Sequence, residues 1–130
     1  MSGALPAGSV IGIIGGGQLG RMLAMAAARL GYRTAVLEPQ ADCPAAQVAN
    51  RHIAAAYDDQ AALAELAAIC DVVTYEFENV PVAAARTLGG KLPVFPPERA
   101  LEVAQDRLVE KTFLNGIGIS TARFKPVDDD

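Results

Sequence analysis

Aromatic residues are scarce in this sequence, at 5% of 130 residues, and tryptophan is absent. Proteins that bind single-stranded nucleic acids stack bases on aromatic side chains, so this composition argues against that class. Basic residues are few as well, with 11 Lys and Arg against 15 Asp and Glu. Because they form no basic stripe that could neutralise a phosphate backbone, we expect no binding to DNA or RNA.

Long hydrophobic runs are also missing. The apolar stretch at residues 22–28 is bounded by Arg21 and Arg29 and is far too short to span a membrane. No Lys or Arg precedes Arg21, so the amino-terminal residues lack the basic start of a secretory signal. We therefore expect a cytoplasmic protein that does not contact membranes.

Cysteine and histidine are rare. Cys43, Cys70 and His52 match no metal-ligand spacing, and two separate thiols are typical of a reducing compartment. The sequence predicts no metal site and no catalytic group among these residues.

Short apolar runs alternate with segments of helical periodicity, and hydrophobic residues make up 52% of the chain. Strands are predicted at residues 10–14, 34–37, 53–55, 71–75 and 92–95. Helices are predicted from Asp58 or Asp59 to Ile69, from Pro81 to Leu88, and after Gly17. The core face of that last helix is predicted to carry Leu19, Met22, Leu23, Ala26, Ala27 and Leu30. Alternating strands and helices indicate an α/β fold with an open parallel sheet of Rossmann-like topology.

The pattern changes after Pro97, where helices are predicted at residues 98–105 and 107–115, followed by an extended segment and three aspartates at 128–130. We predict a first domain at residues 1–96 and, at 97–130, linker helices that begin a second domain. The sequence is expected to be part of a larger protein.

The loop after the first strand satisfies the G-x-G-x-x-G pattern with Gly15, Gly17 and Gly20. Glycines there allow a ligand to approach backbone N–H groups, and the following helix N-terminus favours a phosphate. The alternative is that the third glycine merely lets the helix pack closely on the strand. The motif alone is a weak indication of phosphate binding.

Two acidic positions lie at predicted strand ends, where open α/β sheets bind ligands. Glu38 stands 18 residues past Gly20, as the ribose-binding acid of an NAD-binding domain would. Since Pro39 follows directly and no group for hydride chemistry is present, we interpret Glu38 as a solvated carboxylate. Glu76 follows the fourth strand and could accept hydrogen bonds from ribose hydroxyls or an amine, while Asn79 is a candidate cap for the helix at Pro81.

Three blocks together closely resemble the N5-carboxyaminoimidazole ribonucleotide synthetase family of the ATP-grasp superfamily. They are GGGQLGRML at residues 15–23, TYEFENVP at 74–81 and QDRLVEK at 105–111. The resemblance implies a ligase of purine biosynthesis that uses ATP, Mg²⁺ and bicarbonate to carboxylate 5-aminoimidazole ribonucleotide through carboxyphosphate. It covers only the amino-terminal, pre-ATP-grasp domain and the beginning of the ATP-grasp domain, and it implies a homodimer.

Carried over position by position, the resemblance implies that Gly17, Gln18, Leu19 and Glu76 face the ribonucleotide and that Arg107 contacts ATP. It implies no catalytic residue and no metal ligand within this chain, so the chain alone is expected to be inactive. Two other classes stay open from the residues alone. One is a stand-alone NAD-binding domain of a regulatory protein or dehydrogenase, and the other is a structural domain without a ligand.

Overall fold

A computed structural model describes residues 3–127, and the acidic run predicted at 128–130 lies outside the described residues. The predicted α/β fold is confirmed: four parallel strands form one sheet in the order β3-β2-β1-β4. The strands are β1 Val10–Ile14, β2 Arg33–Leu37, β3 Arg51–Ile53 and β4 Val72–Tyr75. The connection after β1 leads to β2 on one side of β1, and the chain later forms β4 on the other side of β1. This reversal creates the crevice in which such sheets bind ligands.

Within residues 3–127, five helices accompany the strands: α1 Gln18–Arg29, α2 Gln60–Ile69, α3 Val82–Gly89, α4 Glu98–Gln105 and α5 Arg107–Gly116. The side chain of Asp59 caps α2 by accepting a hydrogen bond from the backbone N–H of Ala62 at 2.9 Å, as predicted. Asn79 does not cap α3, whose N-cap is Pro81 without a side-chain hydrogen bond. That prediction was wrong. Among residues 3–127, no helix has both the length and the apolarity to cross a membrane.

Two strand predictions needed correction. The predicted fifth strand is reduced to a single parallel bridge between Val94 and Val73. Prolines at 93, 96 and 97 surround Val94 and donate no backbone hydrogen bond, so a longer ladder cannot form there. The third strand lies at Arg51–Ile53, earlier than predicted, because Ala35 to Leu37 of β2 pair with these three residues.

The core lies on both faces of the sheet. On one face, α2 and α3 bury Leu63, Leu66 and Leu88 completely. On the other face, Ala24 of α1 packs with Ile13 and Val36. The predicted interior strands are thus covered on both sides, as expected for a parallel sheet.

The predicted core face of α1 was right at Ala27 but wrong at its other positions. Gly20, Ala24 and Ala27 are its buried residues, whereas Met22 is 62% exposed and Leu30 is 72% exposed. A Cβ atom on Gly20 would lie 2.7 Å from the carbonyl oxygen of Gly15, so the helix approaches the strand too closely for larger side chains. Close packing selected the small residues over the large apolar ones, although both sets recur with helical spacing.

Candidate functional site: the glycine loop and its two carboxylates

The glycine loop, residues 15–17, connects β1 to α1 at the carboxyl end of the central strand. Gly15 has a φ of +103°, which favours glycine. A Cβ atom on Gly16 would lie 2.5 Å from the Sγ atom of Cys43, so no larger residue fits without a shift of its neighbours. Gly15 and Gly16 are therefore enclosed by neighbouring side chains, whereas Gly17 is partly exposed.

Two carboxylates flank this loop because the register aligns three neighbouring strands. Ile14 pairs with Leu37 on one side and with Tyr75 on the other. The residues that follow these strand ends, Glu38 and Glu76, therefore lie on opposite sides of the glycine loop. Because Glu38 and Glu76 are far apart in the sequence, their positions on either side of one loop follow only from the order of the strands in the sheet.

Glu76 binds the loop through both of its oxygens. Its Oε1 atom accepts a hydrogen bond from the N–H of Gly17 at 3.0 Å, and Oε2 accepts one from Gly20 at 3.1 Å. Gly17 is the N-cap of α1 and has no side chain to satisfy these donors. The carboxylate of Glu76 thus caps α1 from the adjacent strand and complements the positive end of the helix.

Glu38 binds the loop from the other side. Its Oε2 atom accepts hydrogen bonds from the N–H of Gly16 at 2.9 Å and from the Tyr57 hydroxyl at 2.5 Å, while Oε1 accepts one from Gln40 N–H at 3.1 Å. The interpretation of Glu38 as a solvated carboxylate was wrong, since it is half-buried with three donors.

The hydrogen bond between Glu38 and Tyr57 contributes to the pKa shifts of both groups. Burial opposes ionisation of Glu38, but hydrogen bonds from Tyr57, Gln40 and Gly16 outweigh burial and lower its pKa. Burial and the adjacent Glu38 carboxylate both raise the pKa of Tyr57 well above its usual range. Glu38 is therefore the charged acceptor and Tyr57 the neutral donor.

A cavity of about 240 Å³ opens beside the loop. Glu38, Glu76, Tyr57 and Phe77 contribute to its wall, and none of the described residues that line it is Lys or Arg. The rings of Tyr57 and Phe77 pack with their centroids 5.6 Å apart, so one wall is aromatic. The cavity offers carboxylate acceptors, which suit hydroxyl and amine groups of a ligand.

The predicted site residues fall into two places. Gly17 and Glu76 line the cavity, while Gln18 and Leu19 lie exposed on the first turn of α1 just outside its lining. Arg107 begins α5 and lines a different cavity of about 420 Å³ together with Lys111 and Lys125. Its Nη1 atom donates a hydrogen bond to Glu110 at 2.6 Å, within the same helix.

Sequence reasoning missed Tyr57 and Phe77 as parts of the site. Tyr57 comes from the turn between β3 and α2 and carries no motif, so only the folded chain brings its hydroxyl to Glu38. Phe77 directly follows Glu76, and that proximity was the available signal.

A site for Mg²⁺ is not provided by the residues that the structure describes. Within residues 3–127, no group of three or more His, Cys, Asp or Glu side chains is arranged to hold a metal ion. Cys43 and Cys70 are both buried and free. The described residues therefore offer no cluster of three or more such ligands for the Mg²⁺ that the family resemblance implies.

Comparison with known proteins adds to this geometry. The family profile of the ribonucleotide synthetase preATP-grasp domain matches residues 9–105. The N5-carboxyaminoimidazole ribonucleotide synthase of Brucella melitensis is 68% identical over 127 residues, which is 98% of this chain and 35% of that protein.

Solved structures agree with this family. The N5-carboxyaminoimidazole ribonucleotide synthetase of Thermus thermophilus is 54% identical, with a TM-score of 0.82 over 85% of this chain and 31% of that one. The N5-carboxyaminoimidazole synthase of Aspergillus clavatus, in complex with ADP and 5-aminoimidazole ribonucleotide, is 33% identical, with a TM-score of 0.81 over 89% of this chain and 31% of that one. The chain thus spans about a third of the length of the relatives it matches.

Proposed function

The chain belongs to the family of ribonucleotide synthetase preATP-grasp domains, and from that membership we propose that it is the ribonucleotide-binding part of a carboxylating ligase. The observation that carries this proposal is the near-complete match of the chain to the Brucella melitensis synthase. The reaction proposed for the whole protein is the ATP-dependent carboxylation of 5-aminoimidazole ribonucleotide. Bicarbonate attacks the γ-phosphate of ATP to give carboxyphosphate and ADP, and the amine of the ribonucleotide then takes the carboxyl group with release of inorganic phosphate.

The part of this chain in that reaction is to bind and orient the ribonucleotide. Glu76 uses one lone pair of each oxygen on the loop, and each oxygen keeps further capacity to accept a hydrogen bond. A ribose hydroxyl or an amine in the cavity would donate to that remaining capacity. Gly17 lies in the cavity wall, and Gln18 and Leu19 at its rim complete the proposed contact surface.

ATP is proposed to bind outside the glycine loop. The second cavity groups three cationic side chains, Arg107, Lys111 and Lys125, and such a group suits a polyphosphate. Most contacts to ATP, and those to Mg²⁺, are assigned to residues of the whole enzyme outside this chain. We also propose that the whole enzyme is a cytoplasmic homodimer.

A stand-alone NAD-binding domain is disfavoured by three observations. The relatives named above are N5-carboxyaminoimidazole ribonucleotide synthases, and the N–H groups of Gly16, Gly17 and Gly20 are already bonded to carboxylates. Glu38, the residue that would bind the ribose in an NAD-binding domain, instead accepts hydrogen bonds from Gly16 N–H and from the Tyr57 hydroxyl.

The proposed substrate contact is tested in the whole enzyme with Glu76→Gln. A charge-assisted hydrogen bond contributes about 1.5–3 kcal/mol, so the half-saturating ribonucleotide concentration is expected to rise about ten- to a hundred-fold. The half-saturating concentration of ATP should change little, because ATP is assigned to another cavity.

The matched control is Glu78→Gln, which removes the same charge two residues away at an exposed position. It should leave both half-saturating concentrations unchanged. Steady-state kinetics with each substrate varied in turn makes the measurement. A native response to ribonucleotide in a folded Glu76→Gln enzyme would contradict the assignment of Glu76 to the substrate.

A further inference from the structure

The backbone N–H groups of Gly16, Gly17 and Gly20 already have anionic partners. In dinucleotide-binding α/β domains these groups, with the positive end of the following helix, bind a pyrophosphate. Here Gly16 N–H donates to Glu38, and the N–H groups of Gly17 and Gly20 donate to Glu76, all within 3.1 Å. These three donors, which would otherwise attract a phosphate, are therefore satisfied by the protein itself.

The Glu76 side chain also occupies the space over the loop. A Cβ atom on Gly15 would lie 2.4 Å from the Cγ atom of Glu76, and one on Gly17 would lie 3.0 Å from its Oε1 atom. The close approach that the glycines permit is thus used by this side chain. A phosphate could reach the loop only by displacing it.

Glu38 is fixed by more than the loop. The Tyr57 hydroxyl and the Gln40 N–H both donate to its carboxylate, and the rings of Tyr57 and Phe77 pack together. With the bond from Gly16 N–H, displacing Glu38 would therefore break three hydrogen bonds. Because none of the described residues lining the cavity is basic, an arriving phosphate would also meet two carboxylates without a cationic side chain in the cavity wall.

We propose that Glu38 and Glu76 are specificity-determining residues that close the phosphate site of the glycine loop. They act as internal anions, so that pyrophosphate and dinucleotides are rejected there and a ligand is recognised through its hydrogen-bond donors. The phosphate of any ligand in this cavity must lie away from the loop. The inference does not depend on the proposed substrate, since its test uses no ribonucleotide.

The test uses inorganic pyrophosphate and NAD as probes for the purified chain, with amide NMR shifts of Gly16, Gly17 and Gly20 as the readout. The native chain is expected to show no shift of these amides up to about 10 mM of either probe. Glu76→Ala frees two N–H groups and is expected to bind pyrophosphate about tenfold or more tightly than the native chain, with shifts at Gly17 and Gly20. Glu38→Ala is expected to produce shifts at Gly16.

The control is Glu78→Ala, which changes the net charge by the same amount without touching the loop. It should behave as the native chain does. A gain as large as that of Glu76→Ala would show a general charge effect and overturn the proposal. Pyrophosphate shifting the loop amides of the native chain, or no gain in folded Glu76→Ala, would overturn it as well.

The NMR spectrum itself reports whether each variant folds. If Glu76→Ala does not fold, Glu76→Gln replaces it, since its shape is nearly the same and its amide NH₂ cannot accept from a second N–H group. This variant is expected to gain a smaller pyrophosphate response confined to one of the two amides, Gly17 or Gly20. A folded Glu76→Gln chain without that response would equally overturn the proposal.

Discussion

Glu76 stabilises the folded chain in addition to its place in the site, because it caps α1 with both oxygens. Loss of an N-cap acceptor costs about 0.5–2 kcal/mol of stability. We therefore expect Glu76→Ala to lower the free energy of unfolding by about that amount, measured by urea denaturation. Glu78→Ala is the control and should change the free energy of unfolding by less than about 0.5 kcal/mol. Equal losses in the two variants would contradict the capping role.

Glu38 makes stability depend on pH, since contacts with Tyr57, Gln40 and Gly16 outweigh burial and lower its pKa in the folded state. A carboxyl with a lowered folded pKa stabilises the protein above its unfolded pKa and loses that contribution as pH falls through the folded value. The native chain should therefore be more stable than Glu38→Gln at neutral pH. The difference should shrink in acid, below the ordinary value of 4.5.

Unfolding in urea from about pH 7 to about pH 3 measures this difference. His52, whose Nε2 atom contacts the carbonyl oxygen of Glu38, is present in both proteins. A difference that stays constant into acid would contradict the assignment of a stabilising ionised carboxylate.

At the scale of elements, α1 packs through small residues and leaves large ones exposed. Ala24 is 1% exposed and packs with Ile13 and Val36, so Ala24→Leu is expected to overpack the interface and cost about 1–3 kcal/mol. Met22→Ser on the exposed face should cost less than about 0.5 kcal/mol. Denaturation of both variants makes the comparison. A larger loss of stability for Met22→Ser than for Ala24→Leu would contradict the assignment of the core face to the small residues.

At the scale of the whole molecule, the chain is expected to lack turnover by itself. The described residues provide no metal site, and the chain spans about a third of the length of its relatives. Supplied with ATP, Mg²⁺, bicarbonate and 5-aminoimidazole ribonucleotide, it should release no phosphate above background, whereas the whole enzyme should. If the purified chain released phosphate and Glu76→Gln abolished that release, this prediction would be contradicted.

The sequence by itself determined the features that arise from neighbouring residues. Apolar periodicity predicted the alternation of strands and helices. Local cap chemistry placed the start of α2 next to Asp58 or Asp59, and α4 and α5 match their predicted bounds to within one residue. Strand ends also marked Glu76 as a candidate, because parallel strands direct their carboxyl ends to one edge of the sheet, whereas Glu38 was interpreted as a solvated carboxylate. These signals depend on a few neighbouring residues, so they can be interpreted without knowledge of the fold.

The tertiary structure alone decided which partners these residues have. The strand order β3-β2-β1-β4 sets Glu38 and Glu76 on either side of one loop, and the fold brings Tyr57 to Glu38. Two faces of α1 have helical spacing, and only the distance between helix and sheet selects the one with small residues. Contacts between distant segments depend on sheet order and close packing, which residues next to one another in the chain do not encode.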